Sequence, residues 1–137
     1  MCNFDAIHSG IDSSNDDLSK KIAEYVQAIV HGRPQFHISL VMDVSPCCDC
    51  HADNDAPIIP DVGMFASFDC VALDTACADA CNRQPILPGS FLAEKAEEHD
   101  FHDHFKTSMP ATDWRVCMQH AEKIGVGSMK YELVRVK

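Results

Sequence analysis

The chain has 137 residues, of which 46% are apolar and 23% are charged, and its formal net charge is −10. This length and balance predict one globular domain and exclude a largely disordered chain. The negative charge argues against nucleic acid and against an anionic membrane as partners, since both bind basic surfaces. No apolar run approaches the roughly 20 residues that a membrane-spanning helix needs.

The chain contains eight cysteines, which is many for its length. The N-terminus lacks the apolar core of a secretory signal, so these cysteines are interpreted as reduced thiols or metal ligands and not as a disulfide framework. We therefore expect a cytoplasmic protein in a reducing environment.

The first elements follow from local signals. Residues 1–13 are predicted to be an N-terminal tail and residues 14–137 a single α/β domain. Ser14 is the expected N-cap of a helix over 15–31, which has an apolar stripe of helical period. A buried strand is predicted over Phe36–Val44.

The second half of the chain continues in the same way. The expected elements, in chain order, are a strand over Val62–Ser67, a helix over 70–82 capped by Asp69, a helix around 89–98, a helix from its cap Thr112 to about Ile124, and a strand over Met129–Val136. This order predicts an α/β fold with a small mixed or parallel sheet of about three strands flanked by helices, as a fragment of a larger α/β domain. Three buried strands leave open edges, so we expect a homo-oligomer.

The loop between the first two strands, residues 45–57, concentrates metal-ligating side chains. Thiolates and imidazole suit zinc, iron or an iron–sulfur cluster, while carboxylates suit harder ions. The candidate ligands are Cys48, Cys50, His51, Asp53 and Asp55, with Cys47 as an additional one. The alternatives are an exposed loop with incidental cysteines, a vicinal disulfide, and a catalytic thiol.

Three further aspartates follow the loop: Asp61, Asp69 and Asp74. They are additional candidate ligands, and together with Asp55 they would form the acidic site of a metal-dependent enzyme at the strand ends. The simpler interpretation of Asp69 is a helix cap. Asp74 faces either a ligand or water. No catalytic residue is assigned.

The remaining thiols and histidines have simpler interpretations. Cys70, Cys77 and Cys81 form one stripe of a helix, where small thiols usually serve packing, and Cys117 is expected in the core. The His-Asp-Phe-His-Asp-His stretch over 99–104 matches no defensible zinc spacing, so a solvated polar face is expected there.

Several motifs resemble those of a known family. They are Cys48-Asp-Cys, Asp55-Ala-Pro-Ile-Ile-Pro-Asp-Val-Gly-Met-Phe-Ala-Ser67, Asp69-x-Val-Ala-Leu-Asp-x-Ala-Cys77, and Trp114 to Gly127 followed by Tyr131-Glu-Leu. Together they resemble the C-terminal part of the uncharacterised iron–sulfur-centre proteins, which carry the domain of unknown function numbered 362. The resemblance covers nearly all of residues 17–137 and departs from the family pattern at Cys47 and Cys70.

The resemblance implies an iron–sulfur association and explains the start of the chain. Cys2 and the short apolar sequence after it look like the end of a bacterial-type ferredoxin motif, so Cys2 would be a remnant cluster ligand and the chain would be truncated after a ferredoxin-like insert. The first expectation is a metal- or iron–sulfur-associated protein with a redox or electron-transfer role, holding a cluster or zinc and meeting a redox protein partner. The alternatives are the metal-dependent enzyme and a functionally empty fragment that binds no cofactor.

Overall fold

The computed structural model describes residues 14–48, 54 and 56–136. In this part of the chain the elements are α1 (Asn15–Val30), β1 (His37–Val41), β2 (Gly63–Ser67), α2 (Cys70–Asn82), α3 (Phe91–Glu98), α4 (His104–Ser108) and α5 (Trp114–Lys123). The α/β class is therefore confirmed, as a small sheet with five helices.

The sheet differs from the expected one in order and direction. β1 and β2 pair antiparallel, with His37 opposite Ser67 and Val41 opposite Gly63, whereas a parallel or mixed sheet of three strands was predicted. β1 is shorter than predicted because Asp43 has a φ of 49°, which breaks the extended backbone.

The predicted C-terminal strand over Met129–Val136 does not pair with the sheet within the described residues. The segment is tied to α2 by side chains instead. The Tyr131 hydroxyl donates to Asp79 Oδ2 at 2.7 Å, and the Ser128 N–H donates to Asp69 Oδ2 at 2.8 Å. These bonds hold the segment without a backbone ladder.

Local capping signals set the helix starts. Ser14 accepts from the Asp17 N–H and Asp69 accepts from the first N–H groups of α2, as the sequence predicted. At α5 the cap is Asp113 and not Thr112, whose hydroxyl donates to the Met109 carbonyl. Ser90 caps α3.

Two apolar clusters form the core. The larger one joins Val41 of β1, Leu73 of α2 and Leu92 of α3 with the segment Ile58–Ile59 that precedes β2. The smaller one packs Ala23 of α1, Val71 of α2 and Ala121 of α5. α2 therefore contacts both halves of the molecule and connects the sheet to the α1–α5 pair.

The sheet has one covered and one open face. Because side chains alternate along a strand, Ser39, Val41 and Phe65 lie on the face that contacts the core. On the opposite face Leu40 and Met64, which are cross-strand partners, are exposed, and so is Ile38. The open face is therefore strongly apolar.

Candidate functional site

The cysteine-rich loop, residues 45–57, is fixed at its base. The Ile58 N–H donates to the Val44 carbonyl at 2.8 Å, which closes the loop by a backbone hydrogen bond. Ile58 and Ile59 are both almost completely buried in the larger core cluster. The two ends of the loop are thus held beside each other whatever the loop binds.

Inside the loop, side chains connect positions that are distant in sequence. The Asn54 side-chain amide donates to Ser45 Oγ, and Ser45 Oγ donates to the Cys47 carbonyl, both at 3.0 Å. Cys47 is half-buried and Cys48 is exposed. The other predicted ligands lie outside the described residues; they are Cys50, His51, Asp53 and Asp55, together with the remnant ligand Cys2.

The predicted acidic site at the strand ends is divided between two ends of the sheet. Asp61 lies at the loop end, where its Oδ1 accepts the Asp43 N–H at 2.9 Å. Asp69 follows Ser67, the last residue of β2, which pairs with His37 at the start of β1. Because the strands are antiparallel, Asp61 and Asp69 are at opposite ends. The expected grouping of these aspartates is therefore corrected.

Both carboxylate oxygens of Asp69 accept hydrogen bonds from the backbone. Oδ1 accepts from the N–H groups of Val71 and Ala72 and so caps α2, while Oδ2 accepts from Ser128. Gly127 approaches so closely that a Cβ at this position would overlap the Asp69 carboxylate. This carboxylate joins α2 to the C-terminal segment, and its hydrogen bonds identify it as a structural cap.

Asp74 lies one turn further along α2 and faces a cavity between α1, β1, α2 and α5. Burial raises the pKa of its carboxyl, and the nearby His37 opposes this shift. Cys70 and Cys117 line the same cavity; burial raises the pKa of both thiols, and the charge of Asp74 adds to the effect. Sequence reasoning missed this grouping because its members come from three separate elements.

The other two thiols of the α2 stripe belong to the core, as the sequence predicted. Cys77 and Cys81 are buried in the larger apolar cluster. Burial, and then the neighbouring Cys77, raise the pKa of the Cys81 thiol to about 11. A thiol with such a pKa is protonated at neutral pH, so these residues act as compact apolar groups.

The histidine-rich stretch is only in part the solvated polar face that was expected: Asp100 and His102 are exposed, but the following residue is not. Asp103 is buried and accepts hydrogen bonds from Asn82, Trp114 and Arg115 while it caps α4. His104 Nε2 donates to the Gln84 carbonyl at 2.9 Å. The stretch therefore connects α2, α4 and α5, and its polar groups hold the fold together.

The described residues, 14–48, 54 and 56–136, contain neither a cluster of metal-ligating side chains nor a helix that could span a membrane. No three His, Cys, Asp or Glu side chains in these ranges lie close enough together to hold a metal ion. No helix there is long and apolar enough to cross a bilayer.

Comparison with known proteins gave one result. Neither the curated proteins nor the solved structures contained a match to the chain. The model of a protein family described as a domain of unknown function, DUF362, matches residues 5–79, which is more than half of the chain and includes the cysteine-rich loop, both strands and most of α2. The chain therefore belongs to the DUF362 family.

Proposed function

We propose that the protein is a metal- or iron–sulfur-associated protein with a redox or electron-transfer role, and that the cysteine-rich loop holds the metal. The observation that supports this most directly is the closed base of the loop, where Ile58 bonds to Val44. Closing a flexible loop costs conformational entropy. Because the folded protein already holds the two ends of this loop together, metal binding would order fewer residues and lose less conformational entropy.

The side chains of the loop fit a single metal ion better than an all-cysteine cluster. Two thiolates from Cys48 and Cys50, the imidazole of His51 and one carboxylate from Asp53 or Asp55 are the donor types of a four-coordinate zinc or iron site. A [4Fe–4S] cluster is usually held by four thiolates. The loop contains three cysteines, so a cluster would need a non-cysteine ligand or a thiolate from elsewhere.

Two further residues of the loop would position these ligands. Ser45 and Asn54 bond across the loop, which restricts the backbone on both sides of the exposed Cys48. An iron centre would supply one-electron chemistry, which zinc does not. The electron-transfer role therefore requires iron and a redox protein partner, and it suits a reducing cytoplasm in which thiols stay unoxidised.

Anaerobic reconstitution with iron and sulfide, and separately with zinc, tests this proposal. We expect the double variant Cys48→Ser/Cys50→Ser to lose metal, measured by elemental analysis, together with any visible thiolate-to-iron absorption band. The matched control is Cys70→Ser/Cys117→Ser, which also removes two thiols but from half-buried positions outside the loop. Undiminished metal in the first variant, or equal loss in both, would contradict the proposal.

The open face of the sheet supports a homo-oligomer as the second part of the proposal. Leu40, Met64 and the neighbouring Phe68 are more than half exposed on or beside this face. An apolar surface of this kind usually marks an interaction site, and a second copy is the partner always present. We expect light scattering at micromolar concentration to give a mass above the monomer, and Leu40→Lys to reduce it. A monomeric mass for the unmodified protein would refute the oligomer alone.

A further inference from the structure

The cavity beside β1 is separate from the cysteine-rich loop. It has a volume of about 380 Å³ and lies between α1, β1, α2 and α5. His37 and Ile38 come from the start of β1, whereas the loop follows the other end of that strand. The cavity and the described ends of the loop therefore lie at opposite ends of β1.

Most of the cavity lining is apolar. Ile22 and Ile29 of α1, Ile38 of β1, Val71 of α2 and Met118 of α5 supply much of it. Ligand pockets commonly have volumes of about 300–1,000 Å³ and combine apolar walls with a few polar groups that fix orientation. The size and the lining both match a small organic molecule.

Asp74 is the only carboxylate among the described residues that line the cavity. Its neighbours in α2, Leu73 and Thr75, are buried, while Asp74 itself is accessible from the cavity. Water reaches the carboxylate, but apolar side chains surround it on several sides, and this incomplete hydration raises its pKa. No described residue donates a hydrogen bond to it.

The other polar groups of the lining leave Asp74 without a strong partner. His37 Nε2 is within 2.7 Å of Gln35 Oε1, so this ring nitrogen is already engaged. Cys70 and Cys117 remain protonated at neutral pH because burial raises their pKa values. The cavity therefore combines apolar walls with a carboxylate to which no described Lys or Arg side chain is paired, although His37 is close enough to oppose the rise in its pKa.

We propose that this cavity binds a small organic cation with an apolar body, such as an alkyl- or arylammonium compound, with its ammonium group on Asp74. The apolar body replaces water along α1 and β1, and the ammonium group donates charge-assisted hydrogen bonds to the carboxylate. A neutral molecule of the same size contacts the apolar walls but lacks these hydrogen bonds. An anion of the same size meets a like charge.

The test uses three probes with the same alkyl chain: n-hexylammonium, n-hexanol and n-hexanoate. Their affinities are measured from amide chemical shifts of the isotope-labelled full chain. Charge-assisted hydrogen bonds predict that hexylammonium binds about tenfold or more tightly than hexanol, with hexanoate weakest. Asp74→Asn should remove this advantage and leave the affinity for hexanol unchanged. Asp79→Asn, on the same helix but outside the cavity lining, should preserve it.

Several outcomes would overturn the proposal. These are equal affinity for hexylammonium and hexanol in the unmodified protein, no binding of any probe, or loss of the preference in Asp79→Asn. Concentration-dependent shifts confined to the cavity residues of α1, α2 and α5, without a probe, would assign the cavity to a second copy of the chain, which also refutes the proposal. Concentration-dependent shifts at Leu40 and Met64 would report only the oligomer proposed for the open face of the sheet. The metal content of the loop does not enter any of these measurements, so they are independent of the proposed metal site.

Discussion

We expect replacement of the buried Asp103 to destabilise the protein more than replacement of the exposed Asp100 in the same segment. Asp103 is 4% exposed, and its carboxylate accepts hydrogen bonds from the Trp114 Nε1–H at 3.0 Å, the Arg115 Nη1–H at 2.6 Å and the Lys106 N–H at 3.0 Å. These groups belong to α4 and α5. Without the carboxylate, the contact between these helices and α2 loses its central acceptor.

The size of the effect follows from these bonds. Asp103→Ala removes a helix cap, which contributes about 1 kcal/mol. It also removes two charge-assisted bonds, each with a typical contribution of about 1.5–3 kcal/mol. The Arg115 side chain is 40% exposed, so water replaces much of its contribution. We expect a loss of about 3 kcal/mol for Asp103→Ala and about 1–2 kcal/mol for Asp103→Asn, which retains an acceptor for the cap.

Urea denaturation followed by circular dichroism measures this loss. With a slope of about 1.5 kcal/mol/M, a loss of 3 kcal/mol lowers the midpoint by about 2 M. The control is Asp100→Asn in the same segment, where the aspartate is exposed and should contribute less than about 0.5 kcal/mol. If Asp103→Ala and Asp100→Asn have the same midpoint, the hydrogen-bond cluster around Asp103 does not stabilise the fold.

The same residue predicts a dependence on pH. Burial alone would raise the pKa of Asp103, but the hydrogen bonds from Lys106, Trp114 and Arg115 outweigh it and lower the pKa below its ordinary value of 3.8. A carboxyl with a lowered folded-state pKa contributes stability that is complete above the unfolded-state value and disappears as pH falls through the folded-state value. The difference in stability between the unmodified protein and Asp103→Asn should therefore be constant above about pH 5 and narrow below about pH 4. A difference that widens in acid would contradict this.

Three further predictions concern the core and the thiols. Gly127→Ala should lower the free energy of unfolding, measured in urea, by about 1–3 kcal/mol, because the added methyl group overlaps Asp69. An unchanged urea midpoint would show that the C-terminal segment moves to accommodate the methyl group without loss of stability. Leu92 has no exposed surface, so Leu92→Ala should lower the free energy of unfolding by about 2–5 kcal/mol. A loss below about 1 kcal/mol would mean that neighbouring side chains move to fill the cavity. Among the six thiols that the structure describes, alkylation followed by mass spectrometry should modify Cys48 first because it is exposed, and Cys81 last because it is buried and its pKa is about 11. The reverse order of these two would refute this placement.

Local features could be predicted from the sequence because they depend on neighbouring residues. The caps at Ser14 and Asp69 each bond to an N–H two or three positions away, so a short stretch of sequence contains all the information. The stripe of small thiols in α2 indicated packing in the same way, and Cys77 and Cys81 are buried. The family resemblance also rested on contiguous motifs, and membership of the DUF362 family agrees with it.

The strand arrangement depends on contacts that no local pattern specifies. Continuous apolar runs suggested strands covered on both faces, but β1 leaves Ile38 and Leu40 exposed. Met129–Val136 has the composition of a strand, but it does not join the ladder, and bonds from Ser128 and Tyr131 tie the segment to Asp69 and Asp79. Strand pairing requires a free edge of a neighbouring strand in the correct register, and whether such an edge is available depends on the folded structure.

Site assembly shows the same division. The sequence by itself was enough to predict the loop and its candidate metal ligands, because all of these residues lie within thirteen positions. Only the tertiary structure placed Asp61 and Asp69 at opposite ends of the sheet, and only it brought Asp74 beside His37 in one cavity. The physical reason is that burial and electrostatic proximity arise between segments far apart in sequence, after α1, α2 and α5 have packed around the edge of β1.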